Sequence, residues 1–122
     1  MRNQPKYSLF DNARYAFEGL WEVFWQESSF KIEAILSLIV WIVLLFIDIP
    51  FWAKCTLGLS PLIILIVEVA NSAIERVVDL VTQEYHPLAK KAKDAGAAMV
   101  LLSVVFTILI WSATIWTLLT NR

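Results

Sequence analysis

The sequence predicts an all-α membrane protein, with an N-terminal amphipathic surface helix followed by three transmembrane helices. Three observations carry that reading. Of 122 residues, 59% are hydrophobic and 17% charged, too apolar a balance for a soluble domain of this size. Three apolar runs are long enough for a bilayer core, which takes about 20 residues per helix. Together they use up half the chain, so residues 1–122 read as one integral-membrane domain whose chemistry must sit on the helices or their short connections. The net charge is −1 with basic residues scattered rather than striped, which excludes a nucleic-acid footprint. Cys55 is the one cysteine; it has no intrachain disulfide partner and reads as a small apolar packing residue.

The first element spans about residues 8–25. Leu9, Ala13, Phe17, Leu20 and Phe24 form one helical stripe, with Asp11, Asn12, Glu18 and Glu22 largely opposite. Ser8 with Asp11 three residues later resembles a capping box, and Tyr15, Trp21 and Trp25 suit the headgroup zone, which places this helix on the membrane surface. No small-residue cleavage site follows the first apolar run, so the N-terminus is expected to be retained.

"QESSF" then interrupts the pattern, with Ser28 or Ser29 as cap of span one, about residues 30–47, whose only charges are Lys31 and Glu33 near its start. "DIPFWAK" is a turn, and span two covers about residues 55–80 with Pro61 in its early part. "TQEYHPLAKKAKD" is a polar second loop in which Pro87 discourages a helix from running through His86. Span three, about residues 96–119, carries no charge. The six tryptophans read as interfacial anchors. Arg2, Lys6 and Arg14 precede span one and Lys90, Lys91 and Lys93 precede span three, against Lys54 and Arg122 on the other side; the N-terminus and second loop are therefore expected to be cytoplasmic.

Span two holds the chemistry. Glu68, Asn71, Glu75 and Asp79 share one helix face, with Glu68 about 10 Å deeper than Glu75. A carboxylate at membrane depth costs at least about 2.5 to 3.5 kcal/mol unless paired, protonated or wetted. Asp79 can pair with a nearby lysine or reach the interface, whereas Glu68 has no basic residue within a turn on its face. Arg76 points about 100° away from Glu75 and is a poor partner for it. A bound cation would compensate the stripe, and Glu27 at the break before span one can reach the same cation. Two chemistries fit: proton-coupled transport, and phosphoryl transfer to a lipid hydroxyl. With only Gly19, Gly58 and Gly96 there is no Walker loop, and spacing alone leaves both open.

"EVANSAIERVVD" followed by "EYHPLAKKAKDAGAA" resembles the signature of the prokaryotic integral-membrane diacylglycerol kinases, a match that extends from about Tyr15 to Trp111 and includes "WQESSFKIE". The resemblance implies ATP-dependent phosphorylation of diacylglycerol to phosphatidic acid at the cytoplasmic face of the bacterial inner membrane, by a homotrimer. By motif, Glu68 matches the catalytic base and Glu27 and Glu75 the Mg²⁺-associated acids, which also face the nucleotide. Tyr15, Glu84, Tyr85, His86, Lys93 and Asp94 match nucleotide-contacting positions, and Asn71 and Asp79 support the acids. Ser29, Phe30, Lys31, Ile32, Glu33 and Trp111 match lipid-side positions alongside Glu68. This chain departs from the pattern at Ser8, where the family often has a basic residue, and at Ala16 and Ala97, where serines are common. Undecaprenol kinases share the fold and motif and are the alternative enzyme. A small proton-coupled transporter is the alternative from another class, but it leaves "EYH" and "AKD" unexplained.

Overall fold

A computed structural model describes residues 8–121, so Arg2, Lys6 and Arg122, which entered the charge argument, lie outside the described residues. Among the described residues the regular structure is helical throughout: α1 (Leu9–Gln26), α2 (Ser28–Phe46), α3 (Phe51–Leu59), α4 (Leu62–Val81) and α5 (Pro87–Thr120). Three stretches are long and apolar enough to cross a membrane: Ser28–Phe46, Phe51–Val81 and Pro87–Thr120.

α1 starts at Ser8, whose Oγ accepts from the Asp11 N–H at 3.4 Å, and Asp11 adds a negative charge in the first turn where the helix dipole favours one. Glu27 alone separates α1 from α2, with φ −100 and ψ 109. The cap position of α2 therefore falls on Glu27, and Ser28 and Ser29 lie inside the helix. Glu27 makes no capping hydrogen bond, because its carboxylate is turned to another helix.

The second span is not continuous. Pro61 has no N–H to donate, so the ladder gives way at Ser60 and Pro61, and two shorter-range bonds, Ile63 N–H to Ser60 O and Ile64 N–H to Pro61 O, restart it. Side chains of neighbouring helices meet the break. Trp41 Nε1 donates to Gly58 O at 2.7 Å, Trp111 Nε1 to Ser60 Oγ at 3.0 Å and Thr107 Oγ1 to Ser60 O at 3.3 Å. A break at membrane depth is tolerated where protein groups satisfy the freed backbone in this way.

The sequence reading ends the polar loop near residue 95, but the structure carries α5 back to Pro87. Proline suits the first helical turn, and His86 Nδ1 accepts from the Leu88 N–H at 3.2 Å as a cap. The loop shrinks to residues 82–86. With 34 residues, α5 is about 51 Å long, well beyond the roughly 30 Å hydrocarbon core, so its lysine-rich first turns extend past the apolar layer.

The buried apolar side chains are few: Val23, Phe30, Leu44, Ala53 and Leu57. Large apolar groups such as Phe46 (84% exposed) and Leu80 (87%) face outward, as in a protein solvated by lipid rather than water. α4 and α5 pack together where Gly96 is buried against Asn71 and Ile74. A Cβ there would collide with Asn71 Oδ1, so glycine is what permits the approach.

Candidate active site

The polar face of α4 is shared between two neighbours. At about 100° per residue, Asn71 lies some 60° to one side of Glu68 and Ser72 some 40° to the other. Asn71 sits against Gly96 of α5, while Ser72 donates to Glu27 Oε1 at 2.9 Å and Arg76 pairs with Glu22 of α1 at 3.3 Å. Glu68 and Glu75 therefore stand in the sector between α1 and α5. Asn71 Nδ2 donates to Glu75 Oε1 at 3.1 Å, which orients that carboxylate, and Asn71 Oδ1 is buried without a donor.

Glu27 and Glu75 are close enough to Glu68 for their charges to act on it, and Glu68 in turn acts on Glu33. Glu68 forms no ion pair among the described residues, although it is half-buried in an apolar stretch. Glu33 has one carboxylate oxygen buried without a partner, beside a pocket of about 160 Å³ lined with Leu36, Ser37, Val40, Pro61 and Ile64. The structure thus brings Glu27, Glu33, Glu68, Asn71 and Glu75 into one cluster from α2, α4 and the α1–α2 junction. Among the described residues, no group of three His, Cys, Asp or Glu is placed to hold a metal ion unaided.

Toward the polar end of α4, a cleft of about 240 Å³ is lined by Asp79, Glu84, Tyr85, His86, Lys90 and Lys93 among others. Lys93 Nζ lies 2.6 Å from Asp79 Oδ1, so the lysine pairing weighed for Asp79 is the arrangement found. Asp94 stands outside this lining and pairs with Lys90 at 2.5 Å along its own helix. Tyr15 lies apart on α1, with the Arg14 guanidinium 5.3 Å from its ring centroid.

The lipid-side positions scatter more widely. Phe30 is buried and lines an apolar groove of about 640 Å³ between α1, α2 and α4, together with Phe17, Trp21, Trp41 and Ile66. Lys31 lies over the Trp25 ring at 4.9 Å and the Phe24 ring at 5.9 Å, while Ser29 and Ile32 are exposed. Trp111 is held at the α3–α4 break by Ser60, eight residues before Glu68 and so about 12 Å along the span. Sequence reasoning missed Ser72 and Glu22; the one signal for Ser72 was its place four residues after Glu68 and four before Arg76.

These features define an all-helical membrane protein whose spans carry an acidic cluster and, beside it, a polar cleft. The chain matches the family described as prokaryotic diacylglycerol kinase over residues 14–115. It is 34% identical over 104 residues to the diacylglycerol kinase of Escherichia coli (strain K12), a match covering 85% of each chain. Similarity to the diacylglycerol kinase of Helicobacter pylori is 37% identity over 103 residues, covering 84% of this chain and 80% of that one. For the diacylglycerol kinase of Haemophilus influenzae it is 30% over 103 residues, covering 84% and 87%. The chain belongs to the prokaryotic diacylglycerol kinase family and is a lipid kinase.

Proposed function

We propose that the chain transfers the γ-phosphoryl group of ATP to the free hydroxyl of diacylglycerol, giving phosphatidic acid and ADP in an Mg²⁺-dependent reaction at the cytoplasmic face of a bacterial inner membrane. The observation that carries this reading is Glu68: a carboxylate in the apolar half of α4, with Glu27 and Glu75 acting on its charge and no ion-pair partner among the described residues. Glu68 takes the hydroxyl proton as the lipid oxygen bonds to the γ-phosphorus. The bond from that phosphorus to the bridging oxygen breaks, and ADP leaves with the oxygen.

Glu27 and Glu75 would hold the magnesium. Two carboxylates suit an ion that keeps several waters and shares phosphate oxygens, and Asn71 already steadies one of them. When bound, the ion neutralises charge on the phosphates. Lys93, with Glu84, Tyr85 and His86, lines the cleft in which the nucleotide would sit; Asp94 and Tyr15 lie outside that lining, and a nucleotide contact for them follows from the family resemblance alone. α1 would lie on the membrane surface, with Phe10 (86% exposed) and Phe17 (73%) reaching into the acyl boundary. Three spans cannot easily enclose a headgroup, a base and a nucleotide, so neighbouring subunits would close the site. The number three follows from the family resemblance alone.

The test supplies the purified protein with labelled ATP, Mg²⁺ and either diacylglycerol or undecaprenol, beside Glu68→Gln. Label is expected in phosphatidic acid with the parent and not with the variant. Unchanged transfer by Glu68→Gln would remove the base assignment, preferred labelling of undecaprenol would favour the polyprenol reading, and transfer to neither lipid would return the transporter.

A further inference from the structure

Two contacts tie α4 to α1 and the α1–α2 junction, and on the α4 side they run through Ser72 and Arg76, which the mechanism above does not use. Ser72, 3% exposed, donates to Glu27 Oε1 at 2.9 Å. One turn further along α4, Arg76 Nη1 stands 3.3 Å from Glu22 Oε2, whose other oxygen accepts from Gln26 Nε2 at 3.2 Å. The rungs are about 6 Å apart along α4.

Ser72 behaves unlike two other buried hydroxyls, Ser103 and Thr114. Ser103 and Thr114 donate to carbonyls of their own helix, Val100 O at 2.7 Å and Ile110 O at 2.8 Å, the usual recourse of a hydroxyl within an apolar helix. Ser72 reaches a different element. Its acceptor, Glu27, is the single non-helical residue between two helices; its backbone carbonyl accepts from the Lys31 N–H at 3.1 Å, but its side chain makes no capping hydrogen bond to α2. Local backbone geometry therefore does not position that carboxylate, and the contact from α4 does.

We propose that Ser72 and the Arg76–Glu22 pair are positioning groups, which hold the α1–α2 junction so that the Glu27 carboxylate faces Glu68 and Glu75. This rests on the reading of Glu27 as a magnesium-associated acid. Magnesium demands near-ideal octahedral geometry, so a carboxylate on an untethered junction would have to be ordered at the moment of binding. The hydrogen bond from Ser72 orders it beforehand, and the ion pair keeps α1 from lifting away.

The Arg76 side offers a test of sign. Removing a cation beside an acidic cluster should tighten cation binding if only long-range charge matters, and should weaken it if Arg76 works by holding α1. The experiment measures Mn²⁺ binding by electron paramagnetic resonance, on full-length protein in lipid nanodiscs with a non-hydrolysable ATP analogue, alongside the half-saturating Mg²⁺ concentration for turnover and the thermal midpoint. Ser72→Ala is expected to weaken Mn²⁺ binding roughly 10- to 100-fold, the usual effect of removing a partner that orients a metal ligand, with recovery in Ser72→Thr. Arg76→Gln and Glu22→Gln are each expected to weaken it roughly two- to fivefold, and the double variant no more than either alone. Tighter binding in Arg76→Gln, or unchanged binding in Ser72→Ala, would overturn the proposal. If Glu27→Gln itself leaves Mn²⁺ affinity unchanged, the reading of Glu27 fails and the positioning role with it. Affinity lost in Glu27→Gln but kept in Ser72→Ala and Arg76→Gln overturns the positioning role alone.

Discussion

Lys93 Nζ stands 2.6 Å from Asp79 Oδ1 and joins the polar ends of α4 and α5. Their side chains are 40% and 50% exposed, so water screens the pair and it adds little to stability. Asp79→Asn is therefore expected to unfold within about 1 kcal/mol of the parent. Lys93→Ala should raise KM for ATP about tenfold or more, because a hydrogen bond to a charged group is worth about 1.5 to 3 kcal/mol. Steady-state kinetics on both variants decide the matter: equal KM in Lys93→Ala and the parent would leave Lys93 with only its structural partner.

At Gly96 a methyl group has no room, since Asn71 Oδ1 occupies the space. Gly96→Ala is expected to lose about 1 to 3 kcal/mol from overpacking, set against up to about 1 kcal/mol gained in helix propensity. The net is a lower thermal midpoint in detergent. Adding Asn71→Ala should recover the midpoint but not the phosphoryl transfer. A Gly96→Ala protein as stable as the parent would mean that α5 does not approach Asn71 as described.

Glu75 is steadied by Asn71 and, like Glu27, stands close enough to Glu68 for its charge to act on it. Glu75→Gln is expected to raise the Mg²⁺ concentration needed for half-maximal activity, roughly 10-fold or more. Chelating the ion should abolish turnover and leave the thermal midpoint where it was, because apolar side chains, hydroxyls and ion pairs already join the helices. An unaltered Mg²⁺ dependence in the variant would count against Glu75 as a ligand.

The break in span two depends on Trp41, which donates to Gly58 O at 2.7 Å. Trp41→Phe keeps most of the ring and deletes the donor. The expected loss is about 0.6 to 1.7 kcal/mol, the range for such bonds inside membranes. kcat should not move, since the break lies about 12 Å along the span from Glu68. A fall in kcat without loss of stability would place the break within the catalytic cycle.

Much of the helical architecture was legible in the residues. Apolar stripes and runs mark each helix through periods of one or two turns, information carried within a dozen neighbouring positions. The interruption at Glu27 and the proline turns near Pro50 and Pro87 were legible for the same reason. Two boundaries were not. Polar residues 87–95 lack an apolar stripe, yet proline in the first turn and the His86 cap make them helical. Pro61 was visible in the sequence, but whether it would bend or break the helix depended on indole and hydroxyl donors arriving from α2 and α5.

The candidate site divides in the same way. The shared face of Glu68, Asn71, Glu75 and Asp79, and the depth at which each stands, follow from helical geometry and are properties of one segment. The sequence by itself therefore determined which acids share one face of an apolar stretch and how far apart they stand along it. Their partners were decided only by tertiary structure. Ser72 meets Glu27 across 45 residues of sequence, and Arg76 turns away from the acid beside it in sequence toward Glu22 on α1. Such pairings depend on the rotation and approach of whole helices, which Gly96 permits on one side of α4 and the α1–α2 junction sets on the other.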